Sequence, residues 1–241
     1  MKDLAIYGSG GHAREVLCLV ESINRRTPTW NFLGFLDDDV SRHDGSVAEA
    51  PILGDAAWLT THPGTYVVAG IGAPAARRRV VQRLKSAGCD RFATLVHPEV
   101  ELGRRIRIGV GVVVFAGSRM TTDIEIGDHV ALNLGALVSH DCRIRDFVTV
   151  GPKANLCGNV RIGTGTDIGT GSVVIQGIEI GEWSIVGAGA TVIRDVPSNV
   201  TTFGTPARVL AGIPTSRENE FLYPPAATGI RPVALLRRGR D

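Results

Sequence analysis

The chain has 241 residues, with 26 Lys and Arg against 24 Asp and Glu, 44% hydrophobic side chains and 5% aromatics. So even a balance gives no clustered basic face for a phosphate backbone, and no apolar run approaches the ~20 residues of a membrane span, so neither nucleic acid nor membrane is expected as a partner. Thirty glycines with so few aromatics ask for many tight turns. Cys18, Cys89, Cys142 and Cys157 stand far apart without a CxxC pair, which suggests neither a zinc site nor a disulfide framework. Residues 1–8 read as a strand running into a glycine turn rather than as a signal peptide, so a cytoplasmic protein is expected.

Strand and helix periods alternate in the first hundred residues. Residues 4–7 (Leu-Ala-Ile-Tyr) form a strand, and Gly8-Ser9-Gly10-Gly11-His12-Ala13 turns into a helix whose Ala13, Val16, Leu17, Val20 and Ile23 follow helical spacing. A second strand at 32–36 ends in Asp37-Asp38-Asp39, and a third at 66–69 turns through Gly70-Ile71-Gly72 into a helix over 74–87, closed by Gly88. Residues 92–96 make a fourth strand. Such alternation implies a small Rossmann-like parallel sheet that binds ligands at the strand C-termini. Gly8-x-Gly10-x-x-Ala13 matches the dinucleotide fingerprint, with Asp37 placed for a ribose. About 95 residues supply only half of a dinucleotide fold, however, so the amides of Gly10, Gly11 and His12 at a helix N-terminus suit the diphosphate of a sugar nucleotide better than NAD. The plainer alternative is a tight turn without a ligand. Arg77-Arg78-Arg79 reads as the exposed face of the second helix.

The remainder is periodic. Every sixth residue from Ile108 to Val192 is Val, Ile, Leu or Met, and the positions two before each are small or aliphatic, Ser118, Thr166, Ser172 and Ser184 among them. Period six fits short strands separated by turns, and Ile-Gly at 108, 126, 162 and 180 marks a coil of eighteen residues, so residues eighteen apart stack. A parallel β-helix of about five coils follows.

On that helix, His140 stands at a turn beside Asp141, with Gly158 one coil later. Imidazole exchanges protons near neutral pH, a carboxylate on its second nitrogen fixes the tautomer, and the Gly158 N–H could hold a thioester oxygen as its charge develops. The plain alternative is a surface histidine and a turn glycine. His129, eleven residues away from His140, does not stack with it, so three zinc ligands do not converge and no metal is expected. His43 and His62 read as solvated loop residues. Cys142 occupies an inward position, where a thiol is packing, and Cys157 has no base of its own.

The hexapeptide pattern, together with Tyr7-Gly8-Ser9-Gly10-Gly11-His12, Gly34-Phe35-Leu36-Asp37-Asp38, Gly70-Ile71-Gly72, His97-Pro98, Val138-Ser139-His140-Asp141-Cys142, Cys157-Gly158-Asn159-Val160 and Gly204-Thr205-Pro206-Ala207, resembles the bacterial sugar O-/N-acyltransferase family with hexapeptide repeats. The resemblance implies a Rossmann-like nucleotide-sugar domain (1–96), a left-handed β-helix acyltransferase domain (97–205) and a C-terminal extension (206–241). It implies a homotrimer with sites between subunits. A nucleotide-linked amino sugar would lie on Gly10, Gly11, His12, Asp37, Asp38 and Gly72, and acetyl-CoA, as co-substrate, on Thr149, Gly158, Thr170 and Ala188. His140 would be the proton acceptor and Asp141 its support. Thr149 departs from the family, many of whose members carry a second histidine there, and Arg145 replaces the glycine of an Ile-Gly pair. The expected reaction is direct transfer of acetyl to the sugar amine. O-acetylation of a sialic-acid-type sugar, or a non-catalytic trimeric scaffold that binds a nucleotide sugar, are the alternatives.

Overall fold

The structure, a computed structural model, describes residues 1–43 and 45–210. The extension expected from 206 lies, beyond residue 210, outside the described residues. The front of the chain builds β1 (Lys2–Tyr7), α1 (Gly11–Arg26), β2 (Trp30–Leu36), β3 (Ser46–Val47), β4 (Ala50–Gly54), β5 (Tyr66–Ala69) and α2 (Pro74–Ser86). The five strands lie in the order β3-β4-β2-β1-β5, parallel except for the β3–β4 pair. Side chains alternate between the faces of a strand. Leu4 and Ile6 therefore pack against Ala13, Val16 and Val20 of α1, while Ala5 and Tyr7 pack against Val81 and Leu84 of α2. A Cβ on Gly70 would stand 2.8 Å from the Ala13 Cα, so only glycine lets the chain leave β5 this close to α1.

Two departures from the expected elements have simple causes. Strands β3 and β4 were hidden in the sequence by Gly45, Pro51 and Gly54, which interrupt any apolar run. The single strand expected over 92–96 is divided: Phe92 makes a lone bridge to Val67 of β5, whereas Leu95–Val96 pairs with Val113–Val114, eighteen residues on, and so begins the β-helix.

The left-handed β-helix follows the sequence period. Every sixth residue from Val114 to Val192 is at most 4% exposed, and Ser118, Thr166, Ser172 and Ser184 at the second inward position are buried too, their hydroxyls bonded to backbone carbonyls. Strands eighteen residues apart pair in parallel, as Val113–Val114 on Ala131–Leu132, then Thr149–Val150, Asp167–Ile168 and Ile185–Val186. The corners sit in left-handed backbone at steps of six, for example Gly135 (φ 70°), Asp141 (φ 62°) and Phe147 (φ 59°), which accounts for much of the glycine surplus.

The outward residues of one face, read at steps of eighteen, are Leu95, Val113, Ala131, Thr149, Asp167 and Ile185. Leu95, Val113 and Ala131 join Phe115 in the same apolar cluster as Leu17 and Val20 of α1, fastening the small domain to the first coils. Arg77 secures the next coil. Contrary to the expectation of an exposed face, it is 2% exposed, because it shares a helical face with Val81 and Leu84, at i+4 and i+7. Its guanidinium donates to the carbonyls of Ile71, Gly72 and His129 at 2.8 Å, Phe147 at 2.9 Å and Val148 at 3.1 Å, and to Thr149 Oγ1 at 3.0 Å. Its desolvation lowers the guanidinium pKa to about 10, so it stays charged at neutral pH.

Candidate active site

Two cavities meet at Gly72. The first, about 360 Å³, opens at the C-terminal ends of β1, β2 and β5 and is lined by Gly8, Gly10, Gly11, His12, Asp37, Asp38, Gly70 and Gly72, among others. All six residues expected to hold the nucleotide sugar are thus brought together. Gly10 caps α1 without a side-chain hydrogen bond, and the first turn carries no acidic residue, so amides and helix dipole are left for an anion. Asp37 is fixed by the Ser9 hydroxyl and an Arg42 guanidinium nitrogen 3.8 Å away, and Asp38 by the Tyr7 hydroxyl and Arg83. His12 stands edge-on to Phe115 of the β-helix, ring centres 5.4 Å apart, with Nδ1 3.3 Å from Glu15 and a buried Nε2 that has no protein partner.

The second cavity, about 270 Å³, runs along the β-helix face beyond the docked domain and is lined by Gly72, Asn133, Thr149, Asp167, Thr170 and Ala188, with the glycines between them. Thr149, Thr170 and Ala188, three of the four residues expected at acetyl-CoA, therefore share one wall. Thr149 stands where the histidine was expected in relatives; its hydroxyl accepts from Arg77 and donates to the Gly72 carbonyl at 2.8 Å, so it is part of the seam. Asp167 was not anticipated. Burial pushes its carboxyl up to about 7 against the pull of the Arg77 guanidinium, and it makes no side-chain hydrogen bond or ion pair among the described residues. The sequence signal was present, since one charge interrupts the eighteen-residue ladder of small and apolar outward residues.

The fourth expected residue, Gly158, lies elsewhere, under His140. A Cβ there would stand 2.4 Å from the His140 Cε1, so the imidazole rests on the glycine as the eighteen-residue stacking requires. His140 Nδ1 lies 2.8 Å from Asp141 Oδ2, and both side chains are exposed. They line neither cavity of their own chain. His129 is buried between Phe92 and Phe147, with neither ring nitrogen partnered and its pKa lowered to about 4 chiefly by desolvation. His43 is bonded to the Asp37 carbonyl at 2.7 Å, and His62 stacks on Trp58. The Cys142 thiol, fully buried, is pushed up to about 11 by desolvation, which suits packing rather than nucleophilic attack.

Fold and cavities together define a β-helix protein with a small parallel-sheet domain fastened across one face. The PglD N-terminal domain model matches residues 3–84. Over 118 residues the chain is 37% identical to UDP-N-acetylbacillosamine N-acetyltransferase of Bacillus subtilis (strain 168), a match that spans 48% of this chain and about half, 52%, of that protein. A histidine-to-asparagine mutant of perosamine N-acetyltransferase from Caulobacter crescentus, solved with CoA and GDP-perosamine, superposes with a TM-score of 0.78 at 31% identity, covering 87% of this chain and 97% of that one. The acetyltransferase domain of PglB from Neisseria gonorrhoeae FA1090, solved with acetyl coenzyme A, gives 0.79 at 32% identity, covering 87% and 99%. The chain belongs to the sugar N-acyltransferases with hexapeptide repeats.

Proposed function

We propose that the chain transfers an acetyl group from acetyl-CoA to the amino group of a nucleotide-linked amino sugar. The observation that carries this is the meeting of two cavities at Gly72, one built for an anion at a helix N-terminus and the other running along the β-helix. In the first, the amides of Gly10, Gly11 and His12 receive the diphosphate, while Asp37 and Asp38, held by Ser9, Arg42, Tyr7 and Arg83, take hydroxyl or base donors. In the second, Thr149, Thr170 and Ala188 line the path of the thioester, which supplies an activated acetyl group when bound. The relatives support the assignment of both ligands: one was solved with CoA and GDP-perosamine, another with acetyl coenzyme A.

His140 takes a proton from the attacking nitrogen and returns it to the departing sulfur, Asp141 holds the imidazole by its Nδ1, and the Gly158 amide stabilises the oxyanion. Direct attack suffices, because a neutral amine is a good nucleophile and the juxtaposed cavities supply proximity. The exposed His140 and Asp141 line neither of these two cavities of their own chain, which supports a homotrimer in which each site borrows this pair from a neighbouring subunit. Acetyl-CoA and nucleotide sugars are made in the cytoplasm, where we place the chain, serving polysaccharide biosynthesis.

The test is thiol release from acetyl-CoA with UDP-, dTDP- and GDP-linked amino sugars and with free sialic acid. Release with a nucleotide-linked amino sugar is expected. Release with the free sugar hydroxyl alone would replace the reading with O-acetylation, and silence with nucleotide binding intact would point to a scaffold.

A further inference from the structure

We propose that Asp167 is the acceptor-binding residue that selects an amine over a hydroxyl, by holding the sugar ammonium at the junction of the two cavities and taking its first proton. This rests on the acetyl-transfer reading above and deepens it. Three observations support the role. Asp167 lines the cavity that adjoins the sugar site at Gly72, on the same wall as Thr149. Its carboxylate accepts no hydrogen bond and forms no ion pair among the described residues, unlike Asp37 and Asp38, which are each held by neighbours. And it is the only charged residue of the outward ladder Leu95, Val113, Ala131, Thr149, Asp167 and Ile185, so the wall of this cavity presents one carboxylate.

The surroundings define what such a group can do. The charged group that faces it is Arg77 of α2, whose donors are already committed to Ile71, Gly72, His129, Phe147, Val148 and Thr149. Asn133, Thr149 and Thr170 around it are neutral. A partly desolvated carboxylate without a partner is costly to keep charged, and an ammonium relieves that cost whereas a hydroxyl does so only weakly. Burial raises the Asp167 carboxyl to about 7, close enough to a sugar ammonium for a proton to pass between them.

The proton balance is complete. The acceptor enters as an ammonium, and Asp167 takes one proton, leaving a lone pair on nitrogen. The N–C bond forms and the C–S bond breaks; His140 takes the second proton and delivers it to the thiolate, and Asp167 releases the first to solvent. The products are the amide, the free thiol of CoA and one proton.

The test compares two ligands that differ at one atom: a nucleotide amino sugar turned over by the wild-type protein, and the same nucleotide sugar with hydroxyl in place of the amine. At pH 7.5 the wild-type protein should bind the amine about tenfold more tightly, the size of one charge-assisted hydrogen bond. Asp167→Asn should erase that preference while leaving the Kd of the hydroxyl ligand and of CoA unchanged, and Asp167→Glu should restore part of it. Because the carboxylate must be ionised, the wild-type preference should grow as pH rises through about 7 and shrink below it. A variant that keeps the preference, or one that weakens CoA binding instead, overturns the assignment. Absence of thiol release by the wild-type protein with every amino sugar would instead sink the acetyl-transfer reading itself.

Discussion

Gly158 shows how much a single missing side chain positions. It supports the face of the His140 ring, and its backbone lies outside the left-handed region, so alanine meets no backbone obstacle there. The added methyl meets the imidazole rather than the coil, and the exposed ring can swing away from it. Gly158→Ala should therefore reduce turnover at least about tenfold by displacing the proposed base, while Tm moves by no more than about 2 °C. Paired measurement of thiol release and thermal unfolding checks this; a Tm drop of many degrees would show that the coil, not the ring, had shifted.

At the scale of elements, the decisive join is between α2 and the β-helix. Arg77 supplies hydrogen bonds to five carbonyls and a hydroxyl from three stretches of chain, so removing it strands several buried acceptors at once. Arg77→Ala should cost about 3 kcal/mol or more, seen as earlier denaturant unfolding, and Arg77→Lys should recover only part, since an ammonium cannot span the fork of acceptors that a guanidinium reaches. This join marks where the sequence stopped being readable. The inward hexad residues were legible because burial repeats at a fixed step, and the glycine turn was legible because a strand running into a helix leaves amides open. Arg77 was not, since a basic run looks like a solvated face until the helical phase is set against a partner surface. Residues 46–54 were equally opaque, because turn residues mask their short strands. Asp167 stood in plain view as a charge on an outward ladder, yet its meaning depends on which face receives the small domain.

At the scale of the whole molecule, the two cavities and the His140 and Asp141 pair form one device only if the chain assembles, since a single chain keeps the pair exposed and apart. The repeat provides a stiff rod: stacked inward residues fix the pitch, so a residue on one corner holds its height along the axis. On the proposed reading acyl transfer divides among parts: the small domain would hold the nucleotide, the coil face would guide the thioester, and the corner histidine would move the proton. The most direct test is His140→Ala, assayed for thiol release with the preferred nucleotide amino sugar beside a binding measurement for the same ligand. Turnover should fall by at least about 10²-fold with nucleotide affinity preserved, whereas unchanged turnover would contradict the assignment of His140 as the base on which the account rests.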